Sequence, residues 1–164
     1  MGALLGMVLA QAALALGAHE ILLKVRLGRV SVDLLLFLLI RLALVSGVVL
    51  ISLCTHTFNA FALGMAGGAV LLALLAGGAH RRLPRWRDPV ESPLILALTV
   101  LLALRLLVQV WFLAPYLPDV LSYHLPKIAE WVRAGGLTLE FGMDDRSAFP
   151  AGFELVEASW VVFL

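Results

Sequence analysis

Charged side chains are scarce in this chain of 164 residues: they make up 14% of it, whereas hydrophobic residues make up 62%. An ordinary soluble domain is about 25% charged and about 45–50% apolar, so this balance indicates a protein of the lipid bilayer. The formal net charge is only +1, and the basic residues occur in short clusters between apolar runs. A nucleic-acid partner is therefore not expected.

Cysteine is nearly absent as well, since Cys54 is the only one in the sequence. A single cysteine excludes an internal disulfide and any CxxC metal or redox site. Cys54 is expected to be a small buried apolar residue. The four histidines are isolated from one another, and no two stand at a metal-ligand spacing. A metal site built from histidine and cysteine is therefore not expected.

The chain has instead four apolar runs, each long enough for a helix of roughly 20 residues that crosses about 30 Å of hydrocarbon. They cover residues 2–23, 30–53, 58–79 and 93–114. Pro93 suits the first position of a helix, and Pro115 and Pro118 end the fourth run. We predict an all-α fold, a polytopic transmembrane helix bundle, with four transmembrane helices in residues 1–114.

The apolar runs at the two ends of the chain lead to further predictions. The basic residues nearest to the first apolar run come after it, whereas a secretory signal peptide has its basic residues before the apolar run. The first run is therefore predicted to be a retained span. A fifth apolar stretch starts near Ala151 and continues to Leu164. Residues 150–164 are therefore predicted to be the start of a truncated fifth transmembrane helix, and the chain to be the N-terminal piece of a longer protein.

The basic residues also predict how the helices are oriented, because lysine and arginine are retained on the cytoplasmic side of a membrane. They cluster in two loops, after the first and the third apolar run: Lys24, Arg26 and Arg29, and then Arg81, Arg82, Arg85 and Arg87. We predict both loops to be cytoplasmic. The turn near His56 and residues 115–149 then form the extracytoplasmic side.

Two features inside the predicted spans stand out. Gly64 and Gly68 have the GxxxG spacing that lets helix backbones approach closely, and we expect them to pack within the bundle. Arg41 and Arg105 lie near the middle of their spans, where a charge costs at least about 2.5–3.5 kcal/mol unless it meets protein, water or a counter-charge. Each arginine either pairs with an acid or carbonyls in other parts of the protein or faces a cavity that holds an anionic lipid headgroup.

Residues 118–136, PDVLSYHLPKIAEWVRAGG, form one of the few long polar stretches. Their periodicity predicts an amphipathic helix that lies along the membrane surface. The apolar face would carry Leu121, Leu125, Ile128 and Val132, and the polar face Asp119, Tyr123, Lys127 and Glu130. Gly135 and Gly136 are expected to end the helix. Pro126 predicts that the helix is either kinked at this residue or starts there.

Several side chains of this segment have plain structural interpretations. Asp119 can act as an N-cap after Pro118. Tyr123 and Trp131 can act as interfacial aromatic anchors, and Lys127 as a charge that reaches towards anionic lipid. His124 can be a polar surface residue.

The order of the residues in this loop also resembles one enzyme family. Asp119 is followed by the run Tyr123, His124, Leu125 and Pro126, by a helix that ends in glycine, and by Pro150, Gly152 and Glu154 in a P-x-G-x-E pattern. Residues 115–155, about a quarter of the chain, thereby resemble the first extracytoplasmic loop of the GT-C glycosyltransferases of the family 39, dolichyl-phosphate-mannose-protein mannosyltransferase type. The resemblance depends on the order and spacing of these motif elements, since no single element is distinctive. Many members have two adjacent acids where this chain has Asp119 and Val120.

The resemblance implies an integral membrane glycosyltransferase of the bacterial inner (plasma) membrane, which takes a sugar from a polyprenyl-phosphate donor. Asp119 would be the catalytic base that removes the proton of the acceptor hydroxyl. The departing lipid phosphate needs cationic or hydrogen-bonding partners. The candidate substrate-binding residues are Tyr123, His124, Lys127, Arg133, Arg146 and Arg105.

Two alternatives stay open beside this interpretation. Asp144 and Asp145 could bind a divalent cation together with the donor phosphate, or could simply be solvated, and no cofactor is assigned. The whole chain could also be a non-catalytic membrane bundle subunit or a lipid-binding scaffold, in which the outer helix is only an interfacial anchor.

Overall fold

A computed structural model of the chain describes residues 2–25, 27–28, 30–82, 125–138 and 152–163, together with residues 94, 97, 101 and 104. The helices are α1 (Gly2–Val25), α2 (Val30–Cys54), α3 (Ala60–Ala76), a short 3-10 helix (Ala79–Arg82), α4 (Leu125–Ala134) and α5 (Gly152–Val161). No strand occurs among these residues, so the predicted all-α class is confirmed for the part of the chain that is described.

Two helices are long and apolar enough to cross a membrane, judged by length and composition: Gly2–Val25 and Val32–Cys54. The outer face of α2 is strongly apolar, and Leu35, Leu38 and Leu39 are 57%, 51% and 53% exposed. Helix α3 has 17 residues, fewer than a full span needs. The predicted fourth span, residues 93–114, lies outside the described residues except for four helical positions. A polytopic bundle of four spans therefore stays a prediction.

Local hydrogen bonds explain where these helices begin. Asp33 in the first turn of α2 accepts the N–H groups of Leu27 and Gly28 at 2.8 and 3.2 Å. Asn59 is the N-cap of α3, and its side chain accepts the N–H of Ala62 at 2.8 Å. Asn59 satisfies a backbone donor that a helix start leaves unpaired. Asp33 instead binds the N–H groups of two residues that precede its helix, and so fixes the turn that leads into α2. Asp33 is thus engaged in its own turn and not with Arg41.

Small residues let α1 and α3 approach closely. A Cβ added to Gly64 would lie 2.8 Å from the Cα of Gly6, and one added to Gly67 would lie 2.5 Å from the Cα of Ala10. Because these pairs follow the same order in both helices, α1 and α3 run in the same direction. The expected packing role of Gly64 is confirmed, but the second close approach is made by Gly67 rather than by Gly68.

The cluster of buried hydrophobic side chains lies at the end of the helices that carries the α2–α3 turn (residues 55–59). The largest fully buried side chains are Trp131, Phe58, Leu53, Ile128 and Val49. They come from α2, the turn and α4, and they pack with Ala158, Val162 and Phe163 of the α5 segment. The segment around α4 is therefore part of the core. It also shares one end of the molecule with the α2–α3 turn. The side of the membrane on which this end lies stays a prediction.

Replacing Gly67 by alanine is expected to destabilise the α1–α3 contact, whereas Gly68→Ala should be nearly neutral. A new Cβ at position 67 would meet backbone atoms of Ala10, but one at position 68 would meet only the flexible Leu9 Cδ1, at 3.5 Å. Overpacking of this kind costs typically about 1–3 kcal/mol. Free energies of unfolding from SDS titrations in detergent, followed by circular dichroism, measure the difference. Equal stability of the two variants would contradict the α1–α3 packing.

Candidate functional site

The amphipathic helix α4 lies within the stretch where the sequence predicts one, and its C-terminal end is set by glycine. Within the described residues it begins at Leu125, which puts Pro126 in the first turn, where no intrahelical N–H is needed. At its other end Gly135 has a φ of +64°, and the N–H of Gly136 bonds to the carbonyl of Trp131 at 3.2 Å. Glycine favours this left-handed ending because it has no Cβ. The predicted glycine termination is confirmed.

The buried face of α4 differs from the predicted apolar stripe. Its buried residues are Lys127, Ile128 and Trp131. The expectation for Ile128 is confirmed, but two others are wrong. Trp131 is 1% exposed and belongs to the core, so it is not an interfacial anchor. Lys127 is 3% exposed, so it does not lie on a stripe that faces water.

Lys127 is buried because it has a charged partner on α5. Its Nζ lies 3.6 Å from Oε1 of Glu154, and the two side chains are 2% and 3% exposed. The same Nζ lies 5.8 Å from the centroid of the Trp131 ring, within the range of a cation–π contact. A lysine ammonium is almost never buried without such partners, because its charge loses hydration. The pair therefore explains how a charged residue enters the packed end of the molecule.

The position of Glu154 in its own helix favours its negative charge. It lies in the first turn of α5, where a negative charge interacts favourably with the helix dipole. Further along the same helix Ala158 is fully buried, and α5 packs against α2. The carboxylate is thus fixed by a helix that belongs to the core, and α4 packs onto that helix through Lys127.

The C-terminal end of α4 is held by the α2–α3 turn. The N–H of Phe58 donates to the carbonyl of Gly135 at 2.9 Å, and the N–H of Leu137 donates to the carbonyl of Leu53 at 3.0 Å. His56 adopts a positive φ of 54°, and its imidazole lies against Gly136, where a side chain would collide with it. The glycine at position 136 is therefore needed for close approach as well as for ending the helix.

Only some of the predicted site residues fall in the described part of the chain. Lys127 is buried, as described, and Arg133 is exposed in the last turn of α4. The others lie outside the described residues: Asp119, Tyr123, His124, Arg105 and Arg146, and the candidate cation ligands Asp144 and Asp145. Within the described ranges no group of three or more His, Cys, Asp or Glu side chains could hold a metal ion.

From the sequence, Glu154 was identified only as part of the P-x-G-x-E pattern, and its pairing with Lys127 was not predicted. The signal that could have found it is an acid at the start of an apolar helix, since such a charge needs a counter-charge. The partner of Arg41 was not predicted either. Nη2 of Arg41 donates to Oε1 of Gln11 at 2.8 Å, so an amide of α1 solvates this guanidinium. A lone glutamine in an otherwise apolar run was the available signal.

Arg41 and Gln11 are only partly satisfied by each other. Among the described residues, Arg41 Nε and Gln11 Nε2 are buried and have no hydrogen-bond partner. Beside them an apolar cavity of about 260 Å³ lies between α1, α2, α3 and α5, and Gln11, but not Arg41, is among the residues that line it. The predicted acidic partner of Arg41 does not occur among the described residues. Gln11 both accepts a hydrogen bond from this arginine and lines the cavity.

Comparison of the chain with protein-family models, curated proteins and solved structures gives no match. The resemblance to the GT-C glycosyltransferases therefore depends on the motif residues alone. The geometry adds one contact to those residues. Lys127, the residue that follows the Tyr-His-Leu-Pro run, meets Glu154 of the P-x-G-x-E pattern. This contact joins the helix α4 to the last residue of that pattern, and the other residues of the motif lie outside the described part of the chain except Leu125, Pro126 and Gly152.

Replacing Gln11 by leucine is expected to destabilise the α1–α2 contact by about 1.5–3 kcal/mol, because it removes a hydrogen bond to a charged group. The double variant Gln11→Leu/Arg41→Leu should recover most of this loss, since both partners are then apolar. Unfolding free energies of both single variants and the double variant in mixed detergent give the coupling energy. A Gln11→Leu variant as stable as the wild type would show that Arg41 depends on another partner.

Proposed function

We propose that the chain is the N-terminal part of an integral membrane glycosyltransferase that transfers a sugar from a polyprenyl-phosphate donor to an acceptor on the extracytoplasmic face. Four transmembrane helices in residues 1–114 would carry the loop of residues 115–149. Asp119 would be the catalytic base, and the polar residues of the loop would bind the donor. The proposed location is a bacterial inner membrane, with the donor and the surrounding lipid as partners.

The observation that carries this proposal is the buried contact between Lys127 and Glu154. The family resemblance joins a helix after the Tyr-His-Leu-Pro run to a P-x-G-x-E pattern that follows it in the sequence. A motif whose parts act together has to bring them together in the fold. The ion pair, with Trp131 and Ile128 packed in the core around it, supports treating the two parts as one unit.

The chemistry of glycosyl transfer gives reasons for the other assigned residues. A neutral hydroxyl is a poor nucleophile, so a carboxylate at Asp119 would take its proton as it attacks the anomeric carbon. The leaving phosphate develops charge that cationic groups stabilise. Arg133 is exposed on α4 and is therefore free to contact an anionic headgroup. Lys127 is not proposed to contact the donor phosphate, because its side chain is only 2% exposed.

A second candidate function is a non-catalytic bundle subunit or lipid-binding scaffold. The observation that favours it is the apolar cavity of about 260 Å³ between the membrane helices, which has the lining of a hydrocarbon site. In this alternative α4 would be a structural cover for the end of the bundle. Loss of transfer activity on changing Asp119 separates the enzyme from the scaffold.

In the full-length gene product, Asp119→Asn is expected to lower kcat for sugar transfer by about 10²–10⁴-fold, the usual contribution of a general base. Membranes or proteoliposomes supplied with polyprenyl-phosphate sugar and a range of acceptors provide the assay. The matched control is Glu130→Gln, which removes another acid from the same segment and should change kcat by less than about threefold. Transfer at the wild-type rate by the Asp119→Asn variant would rule out its role as the base.

A further inference from the structure

The apolar cavity between α1, α2, α3 and α5 is large enough to hold a small organic molecule. Its volume is about 260 Å³, and most of the residues that line it are alanine, valine and leucine. An apolar cavity of about 150 Å³ in another protein stays dry and binds benzene. By this comparison the cavity has room for a molecule of roughly ten carbon atoms.

The cavity reaches the apolar outer surface of the helices. Three of the residues that line it are also exposed on that surface: Ile21 of α1, Val48 of α2 and Val70 of α3 are 40%, 41% and 51% exposed. Helices α1 and α2 are long and apolar enough to cross a membrane. A molecule that enters between these side chains therefore comes from hydrocarbon and has to be lipophilic.

Gln11 offers the cavity a hydrogen-bond donor that none of the described residues satisfies. Its Oε1 accepts a hydrogen bond from Nη2 of Arg41 at 2.8 Å, whereas its Nε2 is buried and has no partner among those residues. An arginine side chain has no acceptor, so the amide oxygen has to face it and the two amide atoms cannot exchange places. Since Gln11 lines the cavity, its nitrogen is left to bond with an occupant.

The rest of the lining indicates that the occupant is neutral. The hydroxyl of Ser159 already donates to the carbonyl of Val156 at 2.7 Å. None of the described residues that line the cavity is charged, and Arg41 is not among them. An ionised group in the cavity would lose its hydration without gaining a counter-charge. Water is a poor occupant as well, because it needs about two to four polar partners.

We infer that this cavity binds a neutral, lipophilic molecule of roughly ten carbon atoms that carries a carbonyl oxygen. Gln11 Nε2 donates a hydrogen bond to that oxygen, and Arg41 holds the amide in the orientation that makes this possible. The apolar side chains contact the carbon skeleton. The inference does not depend on sugar transfer, because all of these residues lie in α1, α2, α3 or α5.

The test uses two probes of similar shape, para-fluoroacetophenone and para-fluoroethylbenzene, of which only the first has a carbonyl group. Fluorine NMR titrations of the full-length protein in lipid nanodiscs, with empty nanodiscs as the background, measure the affinity of each probe. The wild type is expected to bind the ketone at least about 10-fold more tightly than the hydrocarbon, because the ketone satisfies a buried donor.

Two substitutions at Gln11 isolate the contribution of its donor. In Gln11→Glu the carboxylate still accepts the hydrogen bond of Arg41 but donates none, and in Gln11→Met the side chain does neither. Both variants should reduce the preference for the ketone to less than about threefold.

A second pair of variants locates the probes in the cavity. Gly17 lines the cavity, and a Cβ added to it would meet only Leu44 Cδ1, at 3.9 Å, so Gly17→Leu should fill the space and weaken binding of both probes at least about 10-fold. Ala66→Leu, at an exposed lining position on α3, repeats this test with a different helix. The matched control is Gly47→Leu, which lies outside the lining and should change both affinities by less than about twofold.

Three outcomes would overturn the inference. Equal affinity of the wild type for the two probes would show that no donor in the site bonds to a carbonyl group. A preference for the ketone that survives in both Gln11 variants would assign the donor to another residue. Unchanged affinity in both Gly17→Leu and Ala66→Leu would show that the probes bind outside the cavity.

Discussion

The hydration of one lysine ammonium is the constraint on which the packed end of this protein depends. Lys127 is buried among apolar side chains, and the ammonium can stay there only if other groups replace the water that it has lost. Glu154 supplies the opposite charge at 3.6 Å, and the face of Trp131 supplies a weaker attraction. Removing one partner of a buried pair typically costs about 3–5 kcal/mol, so α4 and α5 have to meet in a single register.

The other contacts of this end follow from that register. With Lys127 directed at Glu154, the neighbouring Ile128 and Trp131 point into the same core, where they are 0% and 1% exposed. The helix then has to end where its backbone reaches the α2–α3 turn, and Gly135 and Gly136 permit this because a side chain at 136 would collide with His56. Helix α4 and Leu137, which follows it, thereby pack with the core that α2 and α5 share.

Features set by local sequence were predictable, and features set by distant partners were not. The apolar runs at 2–23 and 30–53 correspond closely to α1 (Gly2–Val25) and α2 (Val30–Cys54), because run length is a local property. Helix α3 is shorter than its run, because Asn59 caps it and it ends before Gly77. The C-terminal end of α4 was predictable for the same reason, because the glycines that end it are part of the local sequence. The burial of Lys127 and Trp131 was missed because periodicity assigns a residue to a face of its helix but does not identify what that face meets.

The central claim is that α4 is packed into the core and does not lie loosely on the membrane surface, and the fluorescence of Trp131 tests it most directly. In a variant of this 164-residue chain with Trp86, Trp111 and Trp160 changed to phenylalanine, Trp131 is the remaining tryptophan. The account predicts weak quenching both by acrylamide in water and by brominated lipids, since the side chain is 1% exposed. A matched variant that keeps only Trp160, which is 42% exposed, should be quenched strongly by one of them. Strong quenching of Trp131 by headgroup-brominated lipid or by acrylamide would contradict the account.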